Sequence, residues 1–289
     1  MSVSSKSATR HGYLFRATAL LGLALVLFFA NEQANSFFSK YDPAADSRTS
    51  HPGYYLIDCG RDGDSSLRFV NPMPDSRYLY NENYGWFDET HFDTGNPGQV
   101  IADVEAAAAG GGGIITISQS VREGITGYTA HYLVSGDVSP EETMEVALGI
   151  YMDWSLRFEQ WQGSLPRNLV GPFTPFAIED LPTQYIGFVE DATGLQRSAI
   201  FACFLGQVKT ADAPPHFWLV DEPNTPTDGV NLPHVERLTN ETFQPLILTD
   251  NGWEHVSWPA PLRLNPLPSS HTTWVFESEE TWYLQQRIP

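Results

Sequence analysis

Positive charge is what this chain has least of. Its 289 residues carry 16 Lys+Arg against 35 Asp+Glu, a formal charge of −19. Residues 1–40 hold four of those cations (Lys6, Arg10, Arg16 and Lys40) and one acid, Glu32; the remainder keeps 12 basic against 34 acidic residues, with Lys209 its one lysine. A surface that acidic repels phosphate backbones and anionic lipid, which excludes nucleic acid as a partner. Cysteine is nearly as scarce. Cys59 and Cys203, far apart in the chain, make no zinc site by themselves. They fit either one disulfide in an oxidising compartment or two buried small side chains, since Cys203 lies inside the apolar run Ala199–Leu205.

The signatures of familiar enzymes are missing as well. There is no G-x-S-x-G elbow, no H-E-x-x-H and no C-x-x-C. The run Ala106–Gly113, four alanines then four glycines, lacks the lysine of a phosphate loop and reads as a helix end and turn. Phe92-Asp93-Thr94-Gly95 has the letters of an aspartic-protease loop, but it occurs once and runs into a helix start, so capping explains it. Asp58, Asp62 and Asp64 are closely spaced without the frame of a calcium loop, and read as a solvated turn. The sequence names no cofactor and no metal.

What is present begins with an address. A basic stretch ending at Arg16 precedes fourteen uncharged residues, Ala17–Ala30. That is the pattern of a signal peptide, and with Leu14 and Phe15 counted it reaches about seventeen residues, the lower limit for crossing a bilayer. Residues 1–40 are therefore expected to be a signal anchor or a cleaved signal peptide. The basic flank places the acidic body outside the cytoplasm. Residues 41–52, with Pro43 and Pro52, read as a linker, and 53–289 as a single extracytoplasmic domain. Hydrophobic residues at 42% and aromatics at 13% suffice for a packed core there.

The expected fold class is α+β: buried central helices, a small antiparallel sheet, and a proline-rich irregular C-terminal wrap. Gly53–Cys59 is a short strand candidate. Asn96-Pro97 starts a helix through Ala109, with an N-cap followed by proline in the first turn. Ile114–Val121 and Tyr128–Val134 form a hairpin pattern. Ser139-Pro140-Glu141-Glu142 is a capping box opening a helix to about Gln162. One stripe of that helix carries Ala147, Ile150, Tyr151, Trp154, Phe158 and Trp161, and a second carries Leu148, Met152 and Leu156, so it is buried on two sides. Helices over Leu181–Glu190 and Gln196–Val208 follow. Beyond Ala213 lie eleven of the 21 prolines, a density that forbids long helices and leaves short strands at Phe217–Val220, Leu246–Leu248 and Thr273–Phe276, with Trp282-Tyr283-Leu284 anchoring the end.

Chemistry gathers in Trp86-Phe87-Asp88-Glu89-Thr90-His91. Three residues apart, Asp88 and His91 share a face of a helical turn, where the carboxylate either orients and charge-tunes an imidazole among aromatic neighbours or makes a structural hydrogen bond that positions the loop. Glu159 stands at the edge of an apolar stripe, where a carboxylate needs a partner. His131 alternates with apolar neighbours on a strand and is either a further member of the group or a satisfied sheet histidine. Asp153 and Arg157 form an i,i+4 ion pair. In a hydrolase-like site His91 is the general base, Asp88 orients it and Glu159 adds a second carboxylate, with Thr90 and Ser155 the nearest hydroxyls.

These segments carry a resemblance. W-F-D-x-x-H (Trp86 to His91), F-E-x-W-x-G (Phe158 to Gly163) and I-E-D-L-P-x-x-Y-I-G (Ile178 to Gly187) resemble, across about residues 80–250, a family of uncharacterised bacterial envelope proteins built on a domain of unknown function. Asp88 and His91 match its D-x-x-H. The histidine of its long helix has no counterpart, because Leu156 or Arg157 occupies that place, and only Glu159 stands near its glutamate. The resemblance implies an envelope location and no established reaction. Two functions follow as expectations: a membrane-anchored extracytoplasmic protein that binds a partner or cell-wall component through a Trp/Pro-rich surface, or the hydrolase-like enzyme of Asp88, His91 and Glu159. The full-length protein made in cells is expected to stay in the membrane fraction after a high-salt wash. A soluble cytoplasmic pool of the full chain would contradict the address.

Overall fold

The computed structural model describes residues 55–59, 67–70, 73–122, 126–164, 177, 179–214 and 243–283. The expected anchor and linker, the loop carrying Asp62 and Asp64, the strand at Phe217–Val220 and Leu284 all lie outside the described residues. Among the described residues no helix is long and apolar enough to cross a membrane. The chain divides into two units, residues 1–69 and 70–289. A boundary at residue 69 thus falls inside the stretch expected to be one domain. Strand β1 (Tyr55–Asp58) pairs with β2 (Leu67–Val70) in a two-stranded sheet.

The second unit is mixed α+β. Strands β3 (Tyr78–Asn81) and β4 (Gly85–Asp88) form a tight hairpin, extended on its other edge by β7 (Lys209–Ala211). The Asn81 side chain builds the turn: its Oδ1 accepts from the amides of Asn83 and Tyr84, and its Nδ2 donates to the carbonyls of Leu205 and Gln207. A second antiparallel sheet has the order β10 (Trp274–Tyr283), β6 (Thr126–Ser135), β5 (Gly112–Arg122). The expected hairpin is present, and the strand expected at Thr273–Phe276 is the start of a ten-residue edge strand that follows β6 along its length. A small hairpin of β8 (Leu246–Thr249) and β9 (Gly252–His255) completes the strands.

Among the described residues four helices accompany these sheets: α1 (Pro97–Ala109), α2 (Thr143–Ser164), α3 (Asp180–Thr193) and the short α4 (Arg197–Ile200), which packs on α3. At the start of α2 the capping box forms as a turn of its own. The Ser139 amide donates to the Glu142 carboxylate at 3.0 Å, and regular helix follows at Thr143. Both predicted stripes of α2 are buried except for Leu156, which is half-buried. Asp153 pairs with Arg157 at 2.6 Å as the spacing required. The helix expected over Gln196–Val208 is shorter than its apolar pattern. Arg197–Ile200 passes into a single π-type turn, Phe201–Leu205, and Gly206 at φ 94° ends it. A left-handed glycine stops the helix, and residues 209–211 gain a sheet edge on β3 instead.

A few close contacts set the site's geometry. Thr183 in the first turn of α3 accepts from the Asp88 amide at 3.1 Å and donates to the Glu179 carbonyl, tying α3 to the end of β4. One turn on, Gly187 lies so close to the next segment that a Cβ there would stand 1.8 Å from the Phe92 carbonyl oxygen. From the other side, Trp154 of α2 covers Gly95, and the Tyr151 hydroxyl donates to the Thr94 carbonyl at 2.7 Å. Gly187→Ala is expected to destabilise the fold by roughly 3 kcal/mol, because the obstacle is backbone and cannot swing aside. A denaturant melt of wild type and variant checks it; equal midpoints would mean that α3 does not press on the Phe92 carbonyl.

Candidate active site

Asp88 ends β4, and its two oxygens do different work. Oδ1 caps the short 3-10 turn Glu89–His91, accepting from the Thr90 amide at 2.9 Å and the Thr90 hydroxyl at 2.6 Å. Oδ2 accepts from Arg77 Nε at 3.1 Å and faces His91 Nδ1 at 3.4 Å. The same Nδ1 stands 3.3 Å from Asp180 Oδ1, so one imidazole nitrogen lies between two carboxylates. Asp180 is the first residue of α3 and Glu179 its N-cap. Acids there ordinarily accept amide hydrogen bonds from the first turn. Glu179 makes no such cap, and among the described residues no side-chain oxygen of Glu179 or Asp180 has a hydrogen-bond partner of ordinary geometry, the Ala177 amide acting on Asp180 only weakly.

Glu159 reaches the group from α2. It is fully buried; Oε1 accepts from Gln184 Nε2 at 2.7 Å, while Oε2 has no partner among the described residues. Its charge acts on Asp180, His91 and Asp88. Asp88, Glu159, Glu179 and Asp180 are all at most 1% exposed, and the 13% exposure of the His91 side chain is the cluster's opening toward solvent. Among the described residues, Asp88, His91 and Asp180 are the one group with metal-ligand donors gathered in this way, their donor atoms lying within 4.8 Å of one another.

The electrostatics follow from the crowding. Burial works against the Asp88 carboxylate, but the hydrogen bond and charge of His91 and the Thr90 donors outweigh it and hold the group well below the usual carboxylate range. Burial would likewise strip the proton from His91; the Asp180 charge, the Asp88 hydrogen bond and the Glu159 charge reverse that and push the imidazole up to about 10. Burial, reinforced by the Asp180 charge, raises the Glu159 carboxyl to about 8. Burial also raises Asp180, to about 6, against the opposing charge of His91. Glu179 is pushed well above its ordinary value by burial and then by Asp180.

The structure therefore brings Asp88, His91 and Glu159 into one neighbourhood and leaves His131 out of it. His131 lies on β6, half-buried, with Nδ1 against the Thr116 hydroxyl at 2.9 Å, a satisfied sheet histidine. Thr90 is spent on Asp88, and Ser155 is buried without exposure. The Asp93 motif is a structural turn whose exposed carboxylate pairs with Arg197 at 3.0 Å. Cys59 and Cys203 are both disulfide-bonded. Glu179, Asp180 and Arg77 are the members that sequence reasoning missed. The first two read as an ordinary acidic helix start; the usable signal was the pair of adjacent acids followed at once by the apolar Leu181-Pro182, which drags them inward.

No protein-family profile, curated protein or solved structure matches the chain.

A carboxyl whose folded pKa is raised binds its proton more tightly in the folded state. The folded state is then favoured below the unfolded value, and the advantage is lost as pH rises through the folded value. For Glu159 that window runs from 4.5 to about 8, and for Asp180 from 3.8 to about 6. The raised His91 adds loss of stability in the same direction, from 6.5 toward about 10. The melting temperature in chelator-containing buffer is expected to fall by several degrees between pH 5.5 and 8.5, and Glu159→Gln to flatten the slope. A melting temperature that rises over that range would mean that the buried carboxyls are not held protonated by their surroundings.

Proposed function

We propose that this protein is a hydrolase-like enzyme held on the far side of a membrane, with Asp88, His91, Asp180 and Glu159 as its working groups. One observation carries the reading: Glu159 Oε2 is buried without a hydrogen-bond partner, its charge acting on a histidine that already faces two carboxylates. A domain gains nothing in stability from such an arrangement. Buried charges that no protein group satisfies persist where something else uses them. Once its carboxyl ionises, as pH rises through about 8, the free oxygen of Glu159 is the acceptor for a proton from an attacking water, and His91, protonated up to about 10, serves as the donor. This moves the base role from His91, where the sequence placed it, to Glu159.

Two further facts support the setting. A disulfide belongs to an oxidising compartment, in keeping with the N-terminal address. The three segments that resemble the envelope family are the ones that supply Asp88, His91, Glu159, Glu179 and Asp180 to the cluster. Exposed tryptophans would support the rival binding reading; among the described residues Trp154, Trp161, Trp253, Trp258 and Trp274 are buried, and Trp86 and Trp282 half-buried.

The test is a pairing of stability with turnover. The full chain in detergent is screened on chromogenic ester, phosphate and peptide substrates, beside Glu159→Gln and His91→Gln. Glu159→Gln is expected to melt at or above the wild-type temperature, because it removes an unsatisfied carboxylate and keeps the Gln184 contact. Both substitutions are expected to cut turnover by about 100-fold or more. A folded Glu159→Gln with full turnover, or one that melts well below wild type, overturns the assignment.

A further inference from the structure

The geometry points to a divalent transition-metal ion held by Asp88 Oδ2, His91 Nδ1 and Asp180 Oδ1. This assignment rests on reading the cluster as the working site. Distance is the first argument. A charge-assisted N–H···O bond is about 2.7–2.9 Å long, and an unconstrained His–carboxylate pair closes to that. Here Nδ1 stands 3.4 Å from one carboxylate and 3.3 Å from the other. One N–H cannot point at both. Two donors each about 2.0–2.2 Å from a common ion at a tetrahedral angle stand about 3.4 Å apart, so both separations suit ligands around one ion better than partners in a hydrogen bond.

The second argument is the polar atoms left over. Asp180 accepts no hydrogen bond of ordinary geometry, and Glu159 Oε2 has no partner. Glu159 is fully buried and its charge acts on all three candidate ligands. A cation among Asp88, His91 and Asp180 satisfies the Asp180 carboxylate, and its charge offsets the buried Glu159. Arg77 Nε occupies one lone pair of Asp88 Oδ2 and leaves the other, while Thr90 holds the opposite oxygen, so the carboxylate is already oriented. Its orientation does not depend on the ion. His91 supplies the way in, as the one partly exposed candidate ligand.

Donor chemistry selects the ion. One imidazole nitrogen with two or three carboxylates favours first-row divalent ions, with Zn²⁺ bound more tightly than Mn²⁺; Mg²⁺ and Ca²⁺ prefer all-oxygen shells with several waters. Three protein ligands leave a position open for water, the arrangement of catalytic rather than structural sites.

The experiment is calorimetric titration of the chelator-stripped full chain with Zn²⁺, Mn²⁺, Mg²⁺ and Ca²⁺ separately, with melting curves alongside. One Zn²⁺ per chain and a raised melting temperature are expected, with weaker Mn²⁺ and no response to Mg²⁺ or Ca²⁺ at equal concentration. Asp180→Asn and His91→Gln are expected to weaken Zn²⁺ by about 100-fold or more, and His131→Gln to leave it unchanged. Absence of stoichiometric Zn²⁺ binding by wild type overturns the site whatever the variants do, as does binding that survives His91→Gln. Zn²⁺ binding without turnover on any substrate keeps the metal site and removes the hydrolase; chelator-insensitive turnover without binding does the reverse.

Discussion

One imidazole between two buried carboxylates is the constraint on which the functional half of this molecule turns. His91 Nδ1 meets Asp88 and Asp180 from elements far apart in the chain, the end of β4 and the start of α3. Holding like charges that close without water is unfavourable unless a positive charge stands between them. Whether that charge is the proton of His91 or a metal ion in its place, the surrounding structure is arranged to keep the three groups where they are.

The supports are apolar and close-fitting. Gly187 lets α3 press onto the Phe92 carbonyl, Gly95 lets Trp154 press onto the turn after His91, and the stacked rings of Trp154 and Phe158 fix the helix that carries Glu159. The hydroxyl of Thr183 joins the Asp88 amide to the first turn of α3. Each contact is small, yet together they hold the backbone around the cluster, as an assembled acid–base or metal site requires. The cost of burying the carboxylates is borne by the large aromatic core around them.

Much of the fold was legible in the sequence because its signals are local. Asn96-Pro97 marks a helix start, two apolar stripes mark a buried helix, and alternation marks the β5–β6 hairpin. The length of β10 was hidden because its outer half, Ser278 to Thr281, is polar and exposed; the pairing with β6, not its own pattern, makes it a strand. The Gln196–Val208 helix was over-read because periodicity cannot see a left-handed glycine that ends it early. In the site, Asp88 and His91 were visible as a spaced pair and Glu159 as a carboxylate in an apolar stripe. Asp180 was not, since an acid at a helix start is commonplace and its inward direction depends on how α3 docks on β4.

The measurement closest to the central claim is an infrared pH titration of carboxyl groups in the chelator-stripped full chain, compared with Glu159→Gln. If protein groups leave Glu159 unsatisfied, wild type shows a protonated buried carboxyl at pH 6.5 that titrates near 8, and the Gln variant lacks that component while the raised Glu179 carboxyl remains. A wild-type spectrum in which every carboxyl is ionised by pH 6 would mean the cluster is solvated or internally compensated, and would contradict an unsatisfied Glu159.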